Sequence, residues 1–308
     1  MTIQGNTLIL GRDGQVGRAL TRLLGAQAIA AGHREVDFLD RHFTRKLETW
    51  IGRRTIYTVI NAAAYTAVDE AEDEGKEAAF RVNGEAVGEL ATWCKKRNLP
   101  LVHYSTDYVF DGSGSKPWRE NDTPRPINAY GESKLAGENA LKKHGGNYLL
   151  IRTSWVYDAH GKNFFTTIQR ALQEKGELRV VANQFGAPTY AAHLAKATLQ
   201  TLSLREKVAT KSPGGEILHL CNSGATSWHG FANEIFALAR RRGFSLRCRR
   251  INPIPASEYP LPARRPLNSR LDCSAAAMPG VTLPPWQEGL KECIEEYYAD
   301  SGLQDRGA

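Results

Sequence analysis

The sequence lacks any apolar run of about 18 residues, the length a helix needs to cross a bilayer. It also lacks a C-x-x-C pair, and its cysteines are scattered and odd in number: Cys94, Cys221, Cys248, Cys273 and Cys293. This usage predicts reduced structural thiols and no metal site. A strand pattern begins within a few residues of Met1 and leaves no room for a signal peptide. We therefore expect a cytoplasmic protein with no membrane partner.

Acidic residues are scarce at residues 239–270, where only Glu258 opposes nine arginines. Such a field attracts phosphates, whether on a nucleotide-activated substrate or on nucleic acid. No basic platform interleaved with aromatic residues accompanies it, so we expect no nucleic-acid partner. The arginines at residues 240–242 can simply end a helix, where cations suit the negative end of the dipole. Arg265 and Arg270 lie in a proline-rich loop, which favours contact with an anion.

Short apolar runs alternate with helical periodicity through the first half of the chain, which predicts a parallel sheet with helices on both faces. The expected strands are residues 7–10, 28–31, 58–63, 101–106, 148–154, 178–182 and 216–221, and the expected helices are residues 14–24, 80–96, 129–143 and 228–242. The 308 residues exceed the usual size of one domain. The predicted fold class is α/β, a Rossmann-type doubly wound parallel sheet with a smaller C-terminal α/β substrate lobe.

A glycine-rich loop, GRDGQVG at residues 11–17, directly follows the first apolar run and opens a helix. Gly11, Gly14 and Gly17 permit a tight turn, close approach of a pyrophosphate and tight packing of the helix on the strand. The helix N-terminus then offers amide donors to the phosphates, which predicts a dinucleotide cofactor. We place the dinucleotide-binding domain at 1–165 and the substrate-binding lobe at 166–308. Elements near 216–243 can return to the sheet.

The residues after the second strand decide which dinucleotide fits. Where an acidic residue would grip the ribose 2′-hydroxyl, the chain has His33 and Arg34, and Arg12 lies inside the glycine loop. Cationic groups there accommodate a 2′-phosphate, so we predict NADPH as the cofactor. NADH is the alternative, because Glu35 or Asp37 could reach the ribose.

Tyr130 and Lys134 are four residues apart in an expected helix and therefore share one face. There the ammonium could favour the ionised phenol and suit Tyr130 to proton transfer near neutral pH. Thr106 and Asp107 stand at the carboxyl end of the fourth strand, where doubly wound sheets bind ligands. The Thr106 hydroxyl can hold a carbonyl oxygen while Tyr130 protonates it. Asp107 can contact a sugar hydroxyl or cap the following turn. Together these motifs predict a nicotinamide-dependent oxidoreductase.

Longer blocks of the sequence resemble the dTDP-4-dehydrorhamnose reductase family of the extended short-chain dehydrogenase/reductases. Besides the glycine loop, the blocks are VINAAAYTAVD at 59–69, HYSTDYVF at 103–110, RTSWVY at 152–157, QFGAPT at 184–189 and RPLNSRL at 265–271. The resemblance runs from about residue 7 to 295. It implies NAD(P)H-dependent reduction of the 4-keto group of dTDP-4-dehydro-β-L-rhamnose to dTDP-L-rhamnose, a donor for cell-surface polysaccharide.

The resemblance also implies roles for individual residues. Catalysis falls on Thr106, Tyr130 and Lys134. Cofactor contacts match Gly14, Gln15, Val16, Asp37, Phe38, Ala64, Tyr65, Thr66 and Tyr104, besides Tyr130 and Lys134. Substrate contacts match Thr106, Asp107 and Trp155, and we add Arg265 and Arg270 as candidates for the substrate diphosphate.

Some members of that family form a Mg²⁺-bridged dimer through acidic side chains early in the first helix and after the QFGAPT block. Here those regions read Arg18-Ala19 and Tyr190-Ala191-Ala192, without carboxylates. We therefore predict no structural metal, and a monomer or a weak homodimer.

Other functions stay open at this point. Related dehydratases place a glutamate after the Thr-Asp pair, where this chain has Tyr108, which favours simple reduction. An epimerase, or a reductase giving the other C4 configuration, is not excluded. Proteins resembling this reductase also serve as regulatory subunits of methionine adenosyltransferase, so a catalytically silent dinucleotide-binding subunit is the alternative. Retention of Thr106, Tyr130 and Lys134 favours the enzyme.

Overall fold

The computed structural model describes residues 5–208, 214–277 and 280–300. The strands are β1 Thr7–Leu10, β2 Ala28–Ala31, β3 Thr58–Asn61, β4 Leu101–Thr106, β5 Tyr148–Thr153, β6 Val156–Tyr157, β7 Glu177–Val181, β8 Phe185–Gly186, β9 Thr189–Tyr190, β10 Gly215–His219, β11 Thr226–Ser227, β12 Arg250–Ile254 and β13 Asn268–Ser269. The α-helices are α1 Gln15–Leu24, α2 Phe43–Ile51, α3 Lys76–Phe80, α4 Ala86–Lys96, α5 Ala129–His144, α6 Phe164–Glu174, α7 Ala191–Val208, α8 Trp228–Arg241, α9 Ser274–Ala277 and α10 Trp286–Asp300.

Six strands form one parallel sheet in the order β2-β1-β3-β4-β5-β10. The chain adds β2 on one side of β1 and then crosses over to add β3 on the other side. β1 and β3 therefore flank the point where the strand order reverses, and a crevice opens beyond their carboxyl ends. The expected Rossmann-type α/β fold is confirmed.

The side chains of β1 alternate between the two faces of the sheet, so the core has two layers. Leu8 belongs to the apolar cluster on the face of α2 and α4, which includes Phe43 and Leu90. Ile9 belongs to the cluster on the opposite face, with Leu20 of α1 and α7 across it. Each of these side chains is fully buried, and burying one contributes about 1.5–3 kcal/mol.

The expected helix at residues 80–96 is interrupted, because a π-helical turn at Arg81–Glu85 separates α3 from α4. In that turn the Asn83 side chain accepts a hydrogen bond from the Tyr65 amide and donates to the Tyr65 carbonyl and the Ser133 hydroxyl. The wider turn thus lets Asn83 hold the loop after β3 against α5. This loop forms one wall of the crevice.

The later part of the chain forms three small sheets, with strand orders β12-β7, β11-β8-β13 and β6-β9, and α6, α8 and α10 pack around them. As expected, α8 follows Ser227, whose hydroxyl accepts a hydrogen bond from the Gly230 amide at 3.0 Å. Residues beyond 165 also rejoin the large sheet, since β10 pairs with β5 and α7 packs on α1. A single boundary near residue 165 stays a prediction. Among the described residues, none of the helices combines the length and apolarity of a bilayer span.

Candidate active site

A cleft of about 520 Å³ lies beyond the carboxyl ends of the central strands. The cleft is lined by eleven of the residues expected at the site, Gly14, Gln15, Val16, Ala64, Thr66, Tyr104, Thr106, Asp107, Tyr130, Lys134 and Trp155. An adjoining pocket of about 310 Å³ is lined by five more, Gly11, His33, Asp37, Phe38 and Tyr65. The two pockets share the glycine loop and the Ala62–Ala64 stretch as their common wall. Most of the expected site residues therefore line one elongated site made of these two pockets.

The glycine loop has the geometry that phosphate binding requires. Gly11 has a φ of +84°, and a Cβ there would lie 2.5 Å from the Ala63 nitrogen. A Cβ on Gly17 would lie 2.0 Å from the Gly11 carbonyl oxygen. Gly14 precedes α1 and supplies no capping side chain, so the first amides of α1 face the cleft unobstructed. Side chains at positions 11 and 17 would collide with this backbone and force the loop out of its conformation.

Arg12 and His33, two of the three groups expected around a ribose 2′-phosphate, contact carboxylates. The Arg12 guanidinium donates to Glu35 at 3.2 Å and to the Ala30 carbonyl, and Glu35 also accepts from the Gly32 amide at 2.8 Å. Arg12 and the exposed Arg34 do not line either pocket. His33 does, with its Nδ1 3.4 Å from Asp37. The Arg12 guanidinium is thus held by Glu35 beside the pocket and does not face into it.

Asn61 shapes a turn beside the cleft. It is fully buried, its side-chain oxygen accepts a hydrogen bond from the Ala63 amide at 3.1 Å, and its amide group contacts His103 Nδ1 at 3.0 Å. The bond shapes the turn after β3 so that the small residues beyond it, residues 62–64, form the shared wall of both pockets. The turn, and not the asparagine side chain, borders the cleft.

The catalytic candidates come from two neighbouring elements. α5 begins after Asn128, whose side-chain oxygen accepts a hydrogen bond from the Gly131 amide at 2.7 Å. This start places Tyr130 in the first turn and Lys134 one turn later, with both lining the cleft. Lys134 is buried, and its ammonium donates to the Tyr104 carbonyl at 2.6 Å. Thr106 ends β4 on the same side of the cleft.

The structure does not show the expected lowering of the Tyr130 pKa by Lys134. Burial raises the pKa of the phenol above its ordinary value, the Asp107 carboxyl raises it further, and only Thr106 lowers it. Burial lowers the pKa of Lys134 to about 8, although Glu138 opposes this. The phenol is therefore protonated at neutral pH, which suits a proton donor.

Asp107 is buried and accepts a hydrogen bond from Thr106, a catalytic candidate. Its Oδ1 accepts a hydrogen bond from the Thr106 hydroxyl at 3.1 Å, while the other oxygen has no hydrogen-bond partner among the described residues. Burial raises the pKa of Asp107 to about 7, even though the hydroxyls of Ser269 and Thr106 lie close enough to lower it. Of the two roles expected for Asp107, capping the turn falls instead to Thr106, whose hydroxyl accepts from the Tyr108 amide.

A buried ion pair behind Lys134 was not anticipated from the sequence. Glu138, one turn after Lys134, accepts from Arg152 Nε at 2.9 Å and Nη2 at 2.7 Å, and from the Ser105 hydroxyl at 2.7 Å. Both charged side chains are almost completely buried. No local spacing in the sequence points to this pair, because Glu138 and Arg152 are 14 positions apart on different elements.

Trp155 borders the cleft in a strained conformation. Its φ is +47°, which is unfavourable by about 1–2 kcal/mol for a residue with a side chain. Its ring stacks on Trp228 with the centroids 3.5 Å apart. A Cβ on Gly186 would lie 2.6 Å from the Trp155 ring, so glycine is required there. The fold holds this indole in place at the cleft wall, as residues at functional sites often are held.

The two arginines expected at the substrate diphosphate lie elsewhere. Arg265 donates through both terminal nitrogens to the Asp69 carboxylate, at 2.5 and 2.6 Å. Arg270 donates to the Ser115 carbonyl and lies over the Phe185 ring. Neither lines the cleft. Lys162, which sequence reasoning missed, brings an ammonium to the cleft wall instead.

Arg18, at the start of the first helix where some family members carry an acidic side chain, forms an ion pair. Arg18 donates to Asp158 at 3.0 Å and to the His160 carbonyl, and it also lines the cleft. Within residues 5–208, 214–277 and 280–300 there is no cluster of three or more histidine, cysteine, aspartate or glutamate side chains able to hold a metal ion. Arg18 therefore ties α1 to the loop after β6.

Comparisons with known proteins agree with this geometry. The family model described as RmlD substrate binding domain matches residues 5–299. A dTDP-4-dehydrorhamnose reductase of Burkholderia thailandensis is 45% identical, covering 94% of this chain and 98% of the relative. The enzyme of that name from Escherichia coli K12 is 39% identical, covering 97% of this chain and 100% of the relative.

A solved structure matches over nearly the whole fold. The dTDP-4-dehydrorhamnose reductase of Bacillus anthracis, crystallised in complex with NADP, has a TM-score of 0.85 and 30% identity, covering 96% of this chain and 100% of that chain. The family model and these relatives agree along almost the full length of the sequence. The chain therefore belongs to the RmlD family, that of the dTDP-4-dehydrorhamnose reductases.

Proposed function

We propose that this chain reduces the 4-keto group of dTDP-4-dehydro-β-L-rhamnose to give dTDP-L-rhamnose, with NADPH preferred over NADH. The observation that carries the proposal is that Thr106, Tyr130 and Lys134 line one cleft beside a glycine cradle, in a member of this family. The Bacillus anthracis relative bound to NADP supports the cofactor. The five free thiols fit a reducing cytoplasm. A monomer or weak homodimer remains our expectation.

Each of the three side chains has a distinct task in this proposal. When bound, NADPH supplies the hydride that reduces the ketone. Thr106 turns its single hydroxyl proton from Asp107 to the keto oxygen and so holds that oxygen, and Tyr130 donates its proton to it as the negative charge develops. The Lys134 ammonium, held by the Tyr104 carbonyl in the same cleft, would bind the nicotinamide ribose of the cofactor. Lys162 adds positive charge at the cleft wall for phosphates.

Supplying the 4-keto-6-deoxy sugar nucleotide with NADPH tests the function. We expect one NADPH to be oxidised per sugar reduced, read from the nicotinamide absorbance, and NMR to identify the rhamnose configuration at C4. A talose-type product would show that the protein is a reductase that gives the opposite configuration at C4. Sugar turnover without net NADPH oxidation would indicate an epimerase instead. No turnover, with a stoichiometric enzyme partner recovered in a pull-down, would support the regulatory subunit.

Cofactor preference should respond to Glu35, which holds Arg12. In Glu35→Gln the neutral amide can still accept from Gly32 but no longer neutralises Arg12. We expect the ratio of kcat/KM for NADPH to that for NADH to rise at least about threefold, because charge-assisted bonds to a phosphate are stronger than neutral ones. Adding Arg12→Leu to Glu35→Gln should abolish the gain. An unchanged ratio in Glu35→Gln would mean that Arg12 does not contact the 2′-phosphate.

The pH dependence should report Asp107. Burial raises the pKa of Asp107 to about 7 and lowers that of Lys134 to about 8. Above its pKa, Asp107 adds negative charge next to the oxygen that must become an alkoxide, so kcat/KM should fall as pH rises through about 7. In Asp107→Asn the fall should begin only near the Lys134 pKa of about 8. His103 does not interfere, because burial and the Lys134 charge keep its pKa well below its ordinary value.

Rate profiles for the wild type and Asp107→Asn, at constant ionic strength, measure this difference. Asparagine still accepts a hydrogen bond from Thr106, so the comparison isolates the charge. If the two proteins gave identical profiles, the fall in kcat/KM near pH 7 would be due to the titration of a group other than Asp107.

A further inference from the structure

Two of the five free thiols lie in contact outside the catalytic cleft. The sulfur atoms of Cys221 and Cys273 are 3.3 Å apart, although the residues are 52 positions apart in the sequence. Cys221 lies just after β10, and Cys273 lies just before α9. Closing a disulfide requires the sulfurs to approach to about 2.05 Å. The side chains already face each other, so this needs only a small movement.

The two thiols have different access to solvent. Cys221 is buried in a cluster with Val109, Phe110 and Leu271, whereas Cys273 is half-buried. Both border a cavity of about 500 Å³ between the β10–β11 loop and the segment before α9. A small oxidant entering this cavity would meet Cys273 with Cys221 directly behind it. The arrangement has the order of a reacting thiol and a resolving thiol.

The hydrogen bond between the thiols supports this order. The Cys221 thiol lowers the pKa of Cys273, while the same contact and burial raise the pKa of Cys221. The thiolate is the nucleophilic form, so Cys273 should react first. The remaining thiols provide a contrast, because burial raises the pKa values of Cys94 and Cys293.

We propose that Cys221 and Cys273 form a redox-sensitive dithiol that closes to a disulfide when a hydroperoxide oxidises Cys273. The Cys273 thiolate attacks one peroxide oxygen, the O–O bond breaks, and the departing oxygen leaves as water after taking a proton. The resulting sulfenic acid is attacked at sulfur by Cys221, which forms the S–S bond and releases a second water. One hydrogen peroxide thus oxidises two thiols and yields two waters, and a dithiol reductant reverses the change.

The cross-link would join the end of β10, the edge strand of the large sheet, to the segment before α9. In that segment Leu271 forms an isolated β-bridge with Trp118. That segment packs under the turn bearing Asp107, since Val109, Phe110 and Leu271 share one cluster with Cys221. A disulfide across a loop of this length restricts the unfolded chain, so the oxidised protein should melt at a higher temperature. This inference does not depend on the proposed substrate.

Peptide mapping of the full-length protein tests the proposal. After brief exposure to hydrogen peroxide, alkylation and digestion without reductant, we expect a peptide pair linked through Cys221 and Cys273 and lighter by two hydrogen atoms. Dithiothreitol should release it, and the melting temperature should return to that of the reduced protein. Cys94, Cys248 and Cys293 should be oxidised at least about tenfold more slowly, as internal controls. Absence of the linked pair, or equal oxidation of all five thiols, would overturn the proposal.

Single variants separate the two roles. In Cys221→Ser the sulfenic acid on Cys273 has no resolving thiol, so dimedone should trap it there. In Cys273→Ser, Cys221 should give neither adduct nor disulfide under the same conditions. Dimedone labelling mainly at Cys221 would overturn the assigned order. If either variant fails to fold, the mapping of the wild-type protein still decides whether the dithiol closes.

Discussion

Tyr130→Phe should lower kcat by about 10²–10⁴-fold, the usual contribution of a positioned proton donor. The variant removes the phenolic proton and keeps the ring, which packs edge-to-face on Tyr108 with the centroids 5.8 Å apart. Burial and the Asp107 carboxyl raise the pKa of Tyr130, so the wild-type phenol carries its proton throughout the neutral range. Water is a poor substitute at this half-buried position.

Steady-state kinetics and cofactor titration measure the effect together. Because the substitution leaves the glycine cradle intact, NADPH should bind to Tyr130→Phe with nearly the wild-type dissociation constant. Tyr108→Phe is the matched control: it removes a hydroxyl from the neighbouring ring, which does not line the cleft, and should keep kcat within a few-fold. Equal turnover in Tyr130→Phe and wild type would remove Tyr130 from the chemistry.

The parts of the site that follow from local rules could be predicted from the sequence. Gly11 and Gly17 occupy positions where any Cβ would collide with backbone, so their residue type identifies the cradle. The pair Tyr130 and Lys134 follows from helix periodicity, which is the same in every α-helix. Thr106 is placed by the rule that parallel strands present their carboxyl ends to the ligand. These signals need no knowledge of distant contacts.

The parts that the sequence could not supply depend on pairing between distant residues. Arg265 is 196 positions from Asp69, and its two strong bonds to that carboxylate turn it away from the cleft. Arg12 is held by Glu35 in the same way. An excess of positive charge in the sequence shows only that cations outnumber anions. Which guanidinium stays available to a ligand depends on the carboxylate that tertiary folding places beside it.

The sequence did not predict the π-helical turn around Asn83, for a related reason. Helical periodicity continues through residues 80–96, yet the chain inserts a π-helical turn there. The hydrogen bonds of Asn83 to the Tyr65 backbone and to Ser133 on α5 stabilise this irregular turn. Such turns are frequent at functional sites, because they aim a side chain that a regular helix would misdirect.

Glu138→Gln should lower the free energy of unfolding by about 3–5 kcal/mol, the typical effect of breaking a buried ion pair. The substitution leaves the Arg152 cation 1% exposed with no counter-charge, after losing charge-assisted bonds at 2.7 and 2.9 Å. Urea unfolding followed by circular dichroism measures the change. Glu132→Gln on the exposed side of α5 is the matched control and should cost less than about 1 kcal/mol.

The effect of Glu138 should also depend on pH in a defined direction. Burial alone would raise the pKa of Glu138, but Arg152 holds it below the ordinary value of 4.5. A depressed pKa stabilises the fold above 4.5, and this stabilisation is lost as pH falls through the lowered value. The difference in the free energy of unfolding between wild type and Glu138→Gln should therefore become smaller as the pH falls below the lowered pKa of Glu138. A gap that is small at neutral pH, or independent of pH, would show that Glu138 does not hold Arg152 as an ion.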